Sequence, residues 1–185
     1  MIIKDGKGTG KTVEVDNENR LHVQSDTRSF IADISDKFGD AYVFSHGDYL
    51  SITTTNTETG ILHVKNTSST KKLYVESIRT CGDVINKWKL YKSSTGGTLI
   101  SDQTAGNSQN MNVTSGNTAD VTVYKGAEGK TVTGGSMLGH LINDVGHSNE
   151  RFDGALILGR NDSIELSVEV PSAGEVCCRV IGYYA

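Results

Sequence analysis

The stretch Asp162-Ser163-Ile164-Glu165-Leu166-Ser167-Val168-Glu169-Val170-Pro171 decides the fold class. Along an extended chain Ile164, Leu166, Val168 and Val170 point one way, and Ser163, Glu165, Ser167 and Glu169 the other. A period of two with one apolar face marks an antiparallel strand buried on one side. Working outward, the same pattern predicts strands at 41–45, 49–55, 60–66, 72–80, 87–92, 97–101, 111–114, 120–124, 155–158, 162–170 and 176–183. Turns rich in Gly, Asn, Ser and Thr separate them, such as Thr59-Gly60, Ser94-Thr95-Gly96-Gly97 and Ala173-Gly174. Many short strands with short polar turns predict an all-β, antiparallel β-sandwich of jelly-roll or Greek-key type over residues 30–185.

Two segments refine this picture. Val176-Cys177-Cys178-Arg179-Val180-Ile181 is apolar on both faces and is expected to run centrally in its sheet. Met137, Leu138, Leu141, Ile142 and Val145 share one side at helical spacing, with Ser136 as cap and Gly146 as stop. That spacing predicts one short helix covering an opening of the sandwich.

Composition narrows the classes. A chain of 185 residues is long enough for one domain with a real core. Hydrophobic content of 36% suits a thin sandwich with two wet outer faces. One proline and 21 glycines argue for tight turns over a proline-rich linker. No run is apolar enough for a signal peptide or a membrane span. A net charge of −4 gives no general reason to expect nucleic-acid binding. The three cysteines are an odd number, and the adjacency of Cys177 and Cys178 disfavours a disulfide scaffold. They are expected to be small core residues of a protein assembled in a reducing cytoplasm.

Charge is unevenly spread. Residues 65–92 carry net +5 and residues 93–185 net −5. Complementary fields fix register more than affinity, so basic and acidic faces of neighbouring subunits are expected to meet.

Residues 1–29 differ from the rest. Asp5-Gly6-Lys7-Gly8-Thr9-Gly10-Lys11-Thr12 is flexible by composition, and short strands are expected at 13–16 and 20–24. Two such strands are marginal alone and need another surface to pair with. They describe an extended N-terminal attachment arm better than a domain.

No motif that carries chemistry survives its spacing test. In the glycine leader, Asp5 stands where a phosphate-binding loop needs its first glycine, and no helix pattern follows. His140, Asp144 and His147 are compatible with one metal-binding helix face, but a polar face needs no ligand to explain it. Glu165 and Glu169 lie roughly 13 Å apart at ~3.3 Å per residue, too far for a glycosidase pair, and are expected to be surface charges. Gly134-Gly135-Ser136-Met137-Leu138 has Leu138 where a nucleophile elbow requires glycine. Asn66-Thr67-Ser68 and Asn112-Val113-Thr114 match the glycosylation pattern, which matters only on secretion. Trp88 shares a face with Leu90, opposite Lys87 and Lys89, and is placed in the core, not on a sugar platform. The expected inward set is Trp88, Leu90, Val121, Val123, Ile164, Leu166, Val168 and Val180. No catalytic, cofactor-binding or metal residue is assigned, and no cofactor.

The leader, with Gly-Thr-Gly-Lys followed by Val-Glu-Val-Asp-Asn-Glu-Asn-Arg-Leu-His-Val, resembles the N-terminus of a group of tailed-phage virion proteins. Ser51-Ile52-Thr53-Thr54-Thr55, Gly60-Ile61-Leu62-His63-Val64-Lys65-Asn66, and Trp88-Lys89-Leu90-Tyr91 running into Gly96-Gly97-Thr98-Leu99-Ile100 extend the likeness. These are strand and turn phrases, so no functional residue is carried over. The resemblance implies a non-enzymatic capsid decoration or other head-associated protein, assembled in the host cytoplasm and seated as a homotrimer on the outer shell. A tail, neck or fibre-base component is the nearest rival. A carbohydrate- or receptor-binding sandwich is a second class, and a polysaccharide-degrading enzyme a third. Partners are then the major capsid protein or other virion proteins, with no nucleic acid and no membrane.

Overall fold

A computed structural model describes residues 2–4, 12–15, 21–22, 29–143 and 145–185. The leader contributes β1 (Ile2–Lys4), β2 (Thr12–Val15) and β3 (Leu21–His22), which form a three-stranded antiparallel sheet in the order β1-β2-β3. The expected extended arm is therefore partly folded back on itself, with β1 an addition to the two expected strands. The glycine loop at 5–11 lies outside the described residues.

A helix, α1 (Phe30–Phe38), follows where no helix was expected. Ser29 caps it by accepting from the Ala32 N–H, Lys37 pairs with Asp33 one turn back, and Gly39 ends it at a φ of 64°. The remaining elements are β4 (Ala41–Ser45), β5 (Leu50–Ile52), β6 (Thr59–Asn66), β7 (Leu73–Gly82), β8 (Asn86–Lys92), α2 (Thr98–Asp102), β9 (Asn107–Asn110), β10 (Val121–Lys125), β11 (Ser136–Asn143), β12 (Gly146–Leu158), β13 (Ser163–Glu169) and β14 (Gly174–Tyr184). They make two antiparallel sheets, β10-β6-β13-β8-β11 and β12-β7-β14-β4-β9, with β5 also paired to β14.

The pairings nest. β8 pairs with β11, β7 with β12, β6 with β13 and β4 with β14, and successive pairs alternate between the sheets. A long hairpin wrapped in this way is a jelly roll. As expected, β14 runs inside its sheet, between β7 and β4.

The core lies between the sheets, and β13 keeps the register read from its alternation. Ile164, Leu166, Val168 and Val170 are buried, with Trp88, Leu90, Val123 and Val180 around them and Val121 partly buried at the edge. Trp88 is wholly buried, and its indole N–H donates to Asn86 Oδ1 at 2.7 Å. The expected wet outer face of β13 is mostly covered, however, and Glu169 alone of its four residues stays partly exposed. Ser163, Glu165 and Ser167 are buried as well, and Glu165 is not a surface charge.

The cause is the excursion between β8 and β11. It leaves from β8, beside the β11 edge of the five-stranded sheet, and adds β10 at the far edge of that sheet and β9 at the edge of the six-stranded one. It therefore crosses the outer face twice, once out and once back. The two passes are joined by Gly96 N–H to Thr133 O at 2.9 Å, and fastened to the sheet by Gly60 N–H to Lys130 O at 2.8 Å. Leu99 of α2 is fully buried beneath them. Glycine is required where strap and strand touch, since a Cβ on Gly126 would meet the Gly60 carbonyl oxygen at 1.8 Å. Two further corrections fall on this excursion: residues 98–102 are helical, not a strand, and residues 111–114 form a turn after β9, held against α1 by Asn112 donating to Ser35 O.

The expected helix around Met137 is strand β11. Met137 pairs with Tyr91 and Gly139 with Leu90, so Leu138 is the extra residue of a bulge. A bulge shifts the alternation by one place and leaves a spacing that imitates a helical period.

Cys81 and Cys177, direct partners across β7 and β14, form a disulfide. This overturns the expectation of three reduced thiols. Cys178 points to the opposite face and is the buried free cysteine.

Candidate functional site

Among the described residues, polar chemistry gathers at two places. The first lies under the strap, where Tyr124, His63, Glu165 and Tyr91 are successive partners across β10, β6, β13 and β8. The His63 ring stacks on Tyr124 at a centroid distance of 5.7 Å. Ser94, just past β8, donates its hydroxyl to Glu165 Oε2, and His63 Nδ1 lies 3.6 Å from that oxygen and 3.5 Å from Ser94 Oγ. Glu165 Oε1 has no hydrogen-bond partner among the described residues.

Serine, histidine and a carboxylate thus meet, a convergence that sequence reasoning missed because their positions are scattered along the chain. The geometry does not suit nucleophilic catalysis. An activated serine needs the imidazole between itself and the carboxylate, whereas Ser94 reaches Glu165 directly. The His63 and Glu165 side chains are 3% and 0% exposed, which leaves no path for a substrate. What the cluster does is tie the strap to the sheet.

Beside it, Glu58 accepts hydrogen bonds from Lys89, Ser167 and Tyr91. Burial pushes the Glu58 carboxyl up, but these three bonds together hold it below the ordinary value. Lys89 and Lys87 also lie near Glu169, and Lys71 pairs with Asp40 at 2.8 Å. The basic stretch is thus partly neutralised within its own chain.

The second place is on the opposite side of the molecule. The outer face of the six-stranded sheet carries a groove of about 720 Å³. Its floor holds Arg79 and Arg179, which are direct cross-strand partners. The row continues to Asn149 on one side and to Ser45 and Asn107 on the other. The next row holds His147, Cys81 and Cys177, so the disulfide fixes the floor beside the arginines. Gly47, Asp48 and Tyr49 form a rim, and Tyr49 is 61% exposed. Both arginines are exposed, and neither makes a salt bridge or side-chain hydrogen bond among the described residues.

The other sequence candidates are dispersed. His140 pairs with Lys89 in one sheet, His147 with Cys81 in the other, and Asp144 lies outside the described residues. Among the described residues no group of three His, Cys, Asp or Glu side chains is placed to hold a metal ion. Asn66 is wholly buried, donates to Leu158 O at 2.9 Å and accepts from Ser68 N–H, which removes it as a glycan acceptor. Ser136 opens β11 opposite Lys92. No described helix is long and apolar enough to cross a membrane.

No protein-family model matches the chain, and neither a curated protein nor a solved structure matches it.

Proposed function

We propose that the chain is a non-enzymatic virion structural protein of a tailed bacteriophage, a capsid decoration protein that binds the outer head shell as a homotrimer. The observation that carries this reading is the nested jelly roll, in which the Ser94–His63–Glu165 cluster is sealed under a strap and fastens the fold. Jelly rolls recur in viral shells, where packed sheets and wide outer faces serve assembly. The strand and turn phrases of the leader and of residues 51–100 support the same class.

Two further features fit. Phe30, Phe38, Met111 and Val113 are exposed at the α1 end, an apolar area suited to a contact between subunits. The Cys81–Cys177 disulfide suits a chain that spends its working life in an oxidising medium, as a protein on the surface of a released particle does. The direct test is quantitative mass spectrometry of gradient-purified particles from the phage that encodes the chain. A copy number comparable to that of the major capsid protein is expected, and absence from the particles overturns the reading.

A further inference from the structure

We propose that the groove on the outer face of the six-stranded sheet binds an acidic saccharide, whose carboxylate sits between Arg79 and Arg179. This goes beyond the virion role and does not depend on it. Like charges directly opposite one another across strands destabilise a sheet. Here the two guanidinium groups share one row and have no carboxylate partner among the described residues. An oxyanion between them would relieve that repulsion, and the planar forks match a carboxylate in bidentate fashion.

The size of the groove argues against a bare ion. About 720 Å³ falls in the range of small-molecule sites, well above the space one oxyanion fills. Ser45, Gln109, His147 and Asn149 offer donors and acceptors suited to hydroxyl groups. Tyr49 presents a largely exposed ring at the rim, with an apolar face for a sugar ring and a hydroxyl beside it. The carboxylate that lines the groove is Asp48, which leaves it net cationic against the two arginines. A polyhydroxylated monoanion satisfies all three features. The disulfide two residues from each arginine pins the cross-strand register on which the fork depends.

The test is titration of the full chain with sialyllactose, a glucuronic acid disaccharide, lactose and sodium phosphate, followed by calorimetry and amide chemical shifts. At least one acidic sugar should bind with a Kd of about 1 mM or tighter. Lactose and phosphate should bind at least tenfold more weakly. Arg79→Gln and Arg179→Gln should each weaken binding about tenfold or more while melting within a few degrees of the unaltered chain, because both side chains are exposed. Should either variant fail to fold, shifts in the unaltered chain decide: Arg79, Arg179, His147 and Asn149 must be among the residues that move. The proposal is overturned if neither acidic sugar binds, if lactose or phosphate binds as tightly, if folded arginine variants bind unchanged, or if the shifts fall elsewhere.

Discussion

Removing the Cys81–Cys177 bond should destabilise the sandwich by a calculable amount. The bond spans 96 residues of sequence, and its Cα atoms lie 5.1 Å apart because β7 and β14 already pair there. Reduction therefore changes the folded chain little, and its effect falls on the unfolded chain, which regains the freedom of a long loop. For a loop of that length, chain entropy gives about 4.7 kcal/mol at 25 °C. Against a total stability of roughly 5–15 kcal/mol this is a large share, and it corresponds to a fall in Tm of roughly 10–20 °C for a domain of this size. The assay compares thermal melts of the oxidised chain, the chain in reductant, and the Cys81→Ser/Cys177→Ser double variant. Alkylation of the unfolded, unreduced chain should label one thiol, that of Cys178. Labelling of three thiols would show that the bond is absent, and a double variant melting with the unaltered chain would show that it does not stabilise the fold.

Other outcomes follow from the same structure. Val168→Asp places an unpaired charge in the core and should abolish cooperative unfolding in circular dichroism. Glu128 takes hydrogen bonds from Thr54 and Thr53, which lower its carboxyl from the ordinary 4.5 to about 2. Because the folded value is the depressed one, the contact is fully present above about 4.5 and is lost only as pH falls toward about 2. Hydrogen exchange of the Thr53 and Thr54 amides should stay slow at pH 4 and quicken in Glu128→Gln. A chain lacking residues 1–29 should keep the sandwich, melting a few degrees lower for loss of the Ser29 cap on α1, but fail to join particles that lack the protein; normal incorporation would remove the leader from the attachment role.

The sequence revealed what depends on neighbours along the chain, and hid what depends on neighbours in space. Alternation at Ile164–Val170 placed the core correctly, since an error of one residue would have turned Glu165 inward. It also placed Trp88 and the central strand β14. Nothing in β13 itself tells that Ser163, Glu165 and Ser167 are covered, because the cover is a glycine- and threonine-rich strap whose main apolar anchor is Leu99. The helix at 30–38 was legible in its caps: Ser29 before it, Asp33 in the first turn, Lys37 in the last, and Gly39 beyond. Its single core side chain, Ile34, gave too little periodicity to reveal it. The bulge at Leu138 had the opposite effect and disguised a strand as a helix. The disulfide and the arginine pair are both products of the β7–β14 register, so neither was readable until those strands were known to be partners.

The proposed role on the head shell is tested most directly by a cryo-electron microscopy difference map between normal particles and particles from a phage with this gene deleted. Density should be lost from regularly spaced three-fold sites on the outer surface of the head, each sized for three jelly rolls. Unchanged heads, or density lost from the tail, neck or fibre base instead, would contradict it.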